Sequence, residues 1–345
     1  MMVKRVTFFM LAIVFGLSVA VPQVASAQEA GAFTRLGFGA RGVALSNALS
    51  ADISGNASPF YNPALAPFVG KQTLSASAAL LRFDRQLQFL EFASPLRPRA
   101  GVAAGMIHAG VSNIDGRDNS GFHTEDYAVD EFAFFLAFGL KFSERASGGL
   151  ALQLFRSDLF NDISAVNSIG LDFGMTIQVL PQTRLALVAE DLLASFSYDT
   201  AGLLGDAGKT TDDPFPRRIR LGASHQLPGI GSTIFAEYEI STTSREARTQ
   251  EVQIVSGVPQ PVVISEDLTI VDSRLRLGGE YQLSPEFSVR AGIDQIRSDI
   301  GGIKPSFGFS VVYPVGNLLT GAEYAFVLEP YAVGTMHFLT LKIFL

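Results

Sequence analysis

The chain has 345 residues, 48% of them hydrophobic and 17% charged, with no Cys, no Trp and a formal net charge of −7. Its mean hydropathy of +0.28 is high for a soluble domain, and its charge is sparse beside the roughly 25% usual there, yet a single apolar run, at the N-terminus, approaches the roughly 18 residues a membrane helix needs. These numbers exclude a helical membrane protein, a disordered chain, a nucleic-acid binder (pI about 5.2), a disulfide scaffold and a cysteine-ligated metal site.

Taken in chain order, the first 27 residues read as a secretory signal peptide. Lys4 and Arg5 form a basic start, residues 6–21 carry no charge, and Ala25-Ser26-Ala27 supplies small residues for cleavage after Ala27. Residues 28–70 do not alternate as strands do. Ala40 to Ala48 suggests a short helix of small residues, and Asn62-Pro63 reads as an N-cap followed by proline at the first helical position. This segment is long enough to fold into a lumen as a plug.

From residue 71 onward the pattern is period two, the signature of strands with two different faces. Phe132, Phe134, Leu136, Phe138, Leu140 and Phe142 share one face, opposite Glu131, Ala133, Phe135, Ala137, Gly139 and Lys141. Ile169, Leu171, Phe173, Met175, Ile177 and Val179 alternate likewise with Ser168, Gly170, Asp172, Gly174, Thr176 and Gln178. Strands are expected at 71–80, 84–95, 99–112, 130–143, 146–157, 167–180, 183–193, 217–227, 231–243, 268–283, 286–297, 304–314, 317–328 and 333–345. Many run to the roughly 9–11 residues that cross a bilayer when tilted. Very short turn-rich connections (95–99, 143–146, 180–183, 227–231, 283–286, 314–317) alternate with others that include long polar stretches at 113–129, 195–216 and 244–267. Short periplasmic turns and longer extracellular loops are what an outer-membrane barrel shows. The expected fold is an all-β, 14-stranded antiparallel transmembrane barrel, residues 71–345, in contact with outer-membrane lipid and monomeric. The 28 Phe are expected mainly as its lipid-facing coat, with Gly, Ser and charges inside.

A lumen of this width cannot be filled by wall side chains alone, which gives the 28–70 plug its place. Its motif comprises Gly39, Ala40, Arg41, Asp52, Tyr61, Asn62, Pro63 and Ala64. A Gly-Ala-Arg segment, an Asp-bearing stretch and a Tyr-Asn-Pro-Ala element ahead of a 14-stranded barrel resemble the PorV/PorQ family, within the wider FadL-like group of outer-membrane proteins. Ser46-Asn47 stands where that family tends to have glycines, Asp52 is a single Asp where two are common, and Ala64-Leu65 replaces Ala-Gly-Leu. The resemblance implies a non-enzymatic part in type IX protein secretion or surface attachment, with secretion-system proteins or exported cargo as partners. The FadL-like alternative is transport of long-chain fatty acids or other hydrophobic molecules, with such a molecule as ligand. Loops 195–216 and 244–267 are candidates for partner binding. The second reads equally as a hairpin turning at Gly257-Val258-Pro259.

Gly101, Gly105 and Gly110 lie in the third strand. Glycine often marks a bulge or kink, and in the FadL-like group a kinked third strand opens the wall sideways, so these residues mark a possible lateral gate. The other reading is that they make room for the plug. Glu237, Glu239, Asp272, Arg274, Arg276, Glu280, Arg290 and Asp294 form a charge cluster on adjacent inward faces, read either as a salt-bridge network or as a polar conduit. No catalytic residue, cofactor or metal is expected. Ser224 and His225 are neighbours and point to opposite faces, and the segment at Asp115 to Asn119 lacks calcium-ligand spacing.

Overall fold

The computed structural model describes residues 29–54, 56–159, 164–201, 205, 208–255, 258–296, 302–328 and 334–345. The expected signal peptide lies outside the described residues. The wall consists of β1 (Thr73–Leu80), β2 (Arg85–Leu96), β3 (Ala100–Arg117), β4 (His123–Lys141), β5 (Ala146–Asp158), β6 (Val166–Leu180) and β7 (Thr183–Glu190). After the small hairpin β8 (Ser195–Asp199) and β9 (Thr210–Pro214), it continues with β10 (Arg217–Leu227), β11 (Ser232–Val255), β12 (Val258–Gln282), β13 (Phe287–Asp294), β14 (Lys304–Val315), β15 (Leu318–Leu328) and β16 (Thr335–Phe344). Each wall strand pairs with its chain neighbours, and β1 pairs with β16, so the sheet closes into a 14-stranded antiparallel barrel without an edge.

Alternation positions the two faces as expected. Leu136, Phe138, Leu150, Leu152, Ile169, Ile177, Leu339 and Leu341 are exposed on the outside, while Ala133, Ala137, Ala151, Asp172 and Thr340 are buried inside. An apolar surface this continuous suits lipid and not water.

Two expectations change. Segment 113–129 is not a long loop: β3 and β4 continue as a ribbon to Arg117 and His123. For segment 244–267 the hairpin reading holds, β11 pairing with β12 from Ser232↔Tyr281 to Val255↔Val258. Loop 195–216 contains β8 and β9, and it folds inward, with Phe196 and Phe215 buried.

The Phe are not chiefly an outer coat either. Phe92, Phe134, Phe138, Phe142, Phe173, Phe307 and Phe309 are exposed, but Phe33, Phe38, Phe89, Phe135, Phe155, Phe196, Phe215 and Phe338 are buried. Phenylalanine satisfies lipid and a packed interior alike, so composition does not divide the two.

Residues 29–70 lie within the barrel. They contain a 3₁₀ turn at Ala32–Leu36, the short helix α1 (Gly39–Ala44) and a second 3₁₀ turn at Pro63–Phe68. Helix α1 is shorter than the expected stretch to Ala48. It stops because Ser46 and Asn47 take positive φ, 55° and 62°, and the Asn47 N–H returns to Gly42 O at 2.7 Å. These are the positions where the resembling family tends to have glycine, and left-handed backbone is what glycine tolerates best.

Candidate functional site

The inner segment is anchored by polar atoms around the ring. The Ala40 N–H donates to Thr340 Oγ1 (2.8 Å), Ser306 Oγ to Ala44 O (3.0 Å), the Ser50 N–H to Glu237 Oε2 (3.2 Å), Ser224 Oγ to Ala51 O (2.9 Å), and Ser147 Oγ to Ala64 O (2.8 Å). The expected cap at Asn62-Pro63 forms: Asn62 Oδ1 accepts from the Ala64 N–H at 2.9 Å, and Asn62 Nδ2 donates to Ser50 O at 2.7 Å. What it caps is a 3₁₀ turn, not an α-helix.

Inward glycines let the segment approach this closely. A Cβ at Gly101 would overlap Ala66 O, at Gly149 the Pro63 carbonyl, at Gly174 Asn62 Oδ1, at Gly222 Ser50 Oγ and at Gly292 the Leu45–Ser46 peptide. Thus Gly101 makes room for the segment.

The sheet shows no break at Gly101, Gly105 or Gly110, the residues read as a possible lateral gate. Strand β3 pairs without a break to β2 from Ala100 to Val111, and to β4 over the same span. Its register shifts occur only beyond, at Val111/Ile114 and Asp115/Arg117. Gly105 faces the Phe135 ring and Gly110 the Asp130 carboxylate, so glycine here answers local crowding and not a break in the sheet.

Two walls of different chemistry face each other across the lumen. On β2 to β5 the interior is mainly apolar: Leu87, Phe89, Ile107, Phe135 and Phe155 are buried, with Glu91, Ser147 and Gln153 among them. The inner segment adds Phe38 and Phe60, and the β8–β9 loop adds Phe196 and Phe215. Phe38 is the hub, its ring centroid 4.9 Å from Phe60, 5.1 Å from Phe89 and 5.7 Å from Phe135. A second group joins Phe155 to Phe215 (4.6 Å) and Phe215 to Phe196 (5.0 Å). Stacked and edge-on rings at these spacings attract beyond simple area burial.

On β7 and β10 to β13 the interior is charged, and the eight expected charges meet. Arg276 pairs with Glu237 and Glu239 (2.9 Å each) and Asp294 (3.2 Å); Arg274 pairs with Asp272 (3.1 Å) and Glu239 (3.4 Å); Arg290 pairs with Glu280 (2.9 Å). Residues not singled out in the sequence extend the network. Arg220 bridges Glu237 (3.1 Å) and Glu190, and Arg218 bridges Glu190 (3.0 Å) and Asp191 (2.8 Å). Beyond it, Lys342 pairs with Glu323 at 3.2 Å. Their signal was available: Arg218, Arg220, Gly222 and Ser224 alternate with Ile219, Leu221 and Ala223, so both arginines had to face inward. Mutual pairing is what keeps buried charges tolerable.

Arg41 ties the inner segment to this wall. Its guanidinium reaches Asp52 at 2.6 Å and Glu280 at 2.6 Å. Burial alone would lower its pKa, but the two carboxylates outweigh it and raise it above the ordinary arginine value. Tyr61 holds the aromatic side. Its hydroxyl oxygen accepts from the Phe38 N–H (2.7 Å) and lies 3.0 Å from Phe38 O and 2.8 Å from Asn47 Oδ1. Burial pushes its phenol above the ordinary range.

Ser224 points inward to Ala51 O, while the His225 ring meets Thr183 Oγ1 at 2.9 Å. Asp115, His123 and Asp126 are exposed with their ligand atoms within 4.8 Å of one another. Asp115 already accepts from Arg117 Nε (2.8 Å) and meets His123 Nδ1 (2.7 Å).

No family model matches the sequence, and no curated protein is similar to it at a significant level. The fold does have solved counterparts. The Ralstonia pickettii toluene transporter TbuX aligns over 90% of this chain and 98% of its own, at 15% identity and a TM-score of 0.57. The Pseudomonas putida toluene transporter TodX aligns over 93% and 98%, at 14% identity and 0.55. A Pseudomonas aeruginosa FadL homologue aligns over 94% and 99%, at 11% identity and 0.55. At such identities the likeness is one of fold, a FadL-type 14-stranded barrel.

Proposed function

We propose that this chain is an outer-membrane barrel that carries uncharged or weakly polar hydrophobic molecules inward, as the FadL-like alternative implies. The observation that carries the reading is the aromatic interior on β2 to β5. A soluble molecule or ion gains nothing from Phe89, Phe135 and Phe155, whereas a hydrophobic one replaces ring–ring contact with its own. The β8–β9 loop adds the inward-facing Phe196 and Phe215 to that surface. The fold shared with two toluene transporters supports the same reading.

In this account residues 28–70 close the lumen to bulk solutes, and the exposed apolar outer face sits in lipid as a monomer. Export would follow from the N-terminal 27 residues, and no enzymatic step is assigned. The type IX secretion reading of the PorV/PorQ resemblance draws support from one feature, the β11–β12 hairpin, whose strands of 24 and 25 residues far exceed the span of a bilayer.

The test is uptake of radiolabelled toluene and oleate by Gram-negative cells lacking their own FadL-type barrel. Expression of this chain should raise uptake of at least one well above the empty vector. Uptake equal to the vector for both, with secretion-system proteins retained in a mild-detergent pull-down, would favour the secretion reading instead.

A further inference from the structure

The inner segment is pressed against glycines around much of the ring, but not beside β1, β2 and β16. There the wall carries Ser75, Ser77, Thr340 and Glu91, and a cleft opens between wall and segment toward the end that holds the short turns. A Cβ on Gly39 would keep ordinary distances of 3.7 and 3.8 Å from Ser77 Oγ and Thr340 Oγ1, in contrast to the overlaps at Gly174 and Gly222. Polar contacts from the segment to this stretch of wall are the Ala40 N–H to Thr340 Oγ1 at 2.8 Å, Ser58 Oγ to Glu91 at 2.7 Å and Lys342 Nζ to Asn56 O at 3.5 Å.

Phe38 stands at the head of this cleft and is also the hub of the aromatic cluster. Its neighbours Gly37 and Gly39 both hold positive φ, 113° and 74°, a backbone that side-chain-bearing residues rarely adopt. Two glycines thus flank one large ring. The Tyr61 hydroxyl latches it through the Phe38 N–H and C=O.

We propose that the cleft is the exit route of the transported molecule, and that Phe38, swinging about Gly37 and Gly39, is its gate. The proposal rests on the transport reading above. The molecule leaves the aromatic wall when Phe38 gives way and passes down the polar cleft to the periplasmic end, not sideways through β3. The lining sets carboxylates at Glu91 and Glu323 against Lys342 and Arg41, a charge balance that favours neither ion sign and suits an uncharged passenger.

The chain has no cysteine, so single-thiol variants report one place each. Ser75→Cys puts a thiol in the cleft, and Ser284→Cys puts one at the same end in the turn after β12. Each is treated with benzyl methanethiosulfonate, modification is followed by mass, and uptake is measured with whichever of toluene and oleate the wild type takes up. Modified Ser75→Cys should lose at least five-fold in uptake and modified Ser284→Cys none. Phe38→Ala should raise uptake several-fold. Complete modification at Ser75→Cys without loss, no modification there in the folded barrel, or equal loss at Ser284→Cys would overturn the route. No rise with Phe38→Ala would overturn the gate. Wild-type uptake no higher than the vector's overturns the transport reading itself, and the route falls with it.

Discussion

The two sides of the lumen solve the same problem, filling a wide barrel, by opposite means. On β2 to β5 the filling is mainly aromatic and aliphatic, and its ring contacts have no fixed partners, whatever polar bonds Ser147 and Glu91 make beside them. On β7 and β10 to β13 it is ionic, and every arginine named there has carboxylates within 4 Å. Dispersion contacts can be exchanged for those of a hydrophobic guest with little net change. Buried ion pairs cannot be separated without leaving a charge unmatched. On the transport reading proposed above, the difference teaches which side can yield: the charged wall, clamped through Arg41, holds the inner segment, and the aromatic wall is where a guest would fit.

The sharpest way to break this contrast is to remove one charge. Glu237→Ala leaves Arg220 and Arg276 each short of a carboxylate and should cost about 3–5 kcal/mol, read as a lowered unfolding midpoint in detergent. A neutral outcome would mean the wall is not held by pairing. Next in size is Gly174→Val, which forces a side chain into Asn62 and should cost about 1–3 kcal/mol. It should also push the Pro63–Phe68 turn from the wall and raise single-channel conductance in planar bilayers; unchanged conductance would show that the inner segment does not seal there.

Phe135→Leu nearly conserves volume on the aromatic side, so about 1 kcal/mol of stability is at stake, yet uptake of toluene relative to oleate should shift. If uptake of both stays unchanged, the aromatic wall is packing only. The smallest effect should come from His123→Ala on the exposed β3–β4 ribbon. Its hydrogen bond to Asp115 raises the His123 pKa. That contribution is therefore present below the ordinary histidine pKa near 6.5 and is lost as pH rises through the raised value. A difference in melting temperature between wild type and variant, if resolved, should be confined to the acidic side; one that persists above pH 8 would contradict the pairing.

The barrel was legible because its physics is periodic. Alternation such as Ile169 to Val179 against Ser168 to Gln178 fixes both faces at once, and the short turns fix the order. The inner segment was legible at Asn62-Pro63, where a capping side chain and a proline act locally, and the charge cluster was legible because adjacent strands align Glu237 with Arg276 and Glu239 with Arg274. The aromatic wall was not. Alternation set Phe135 on the face opposite Phe134, but only the closed fold shows that it meets Phe38 and Phe60 there. Loop 195–216 was opaque for a similar reason, since Phe196 and Phe215 mark no periodic element until they find Phe155. The glycines of β3 read two ways, as a gate or as room for the plug, because the backbone of a segment about 35 residues away in the chain, at Ala66, leaves no local trace at Gly101.

The central claim is that a hydrophobic guest occupies the aromatic side of the lumen and the charged side stays closed. Crystals of the barrel soaked in 4-iodotoluene test it most directly, because the iodine can be located by anomalous scattering. The account predicts an iodine peak within van der Waals reach of Phe89, Phe135 or Phe155, with Arg276 still paired to Glu237. A peak against Arg218, Arg220 or Arg276, or iodine confined to the outer apolar surface, would contradict it.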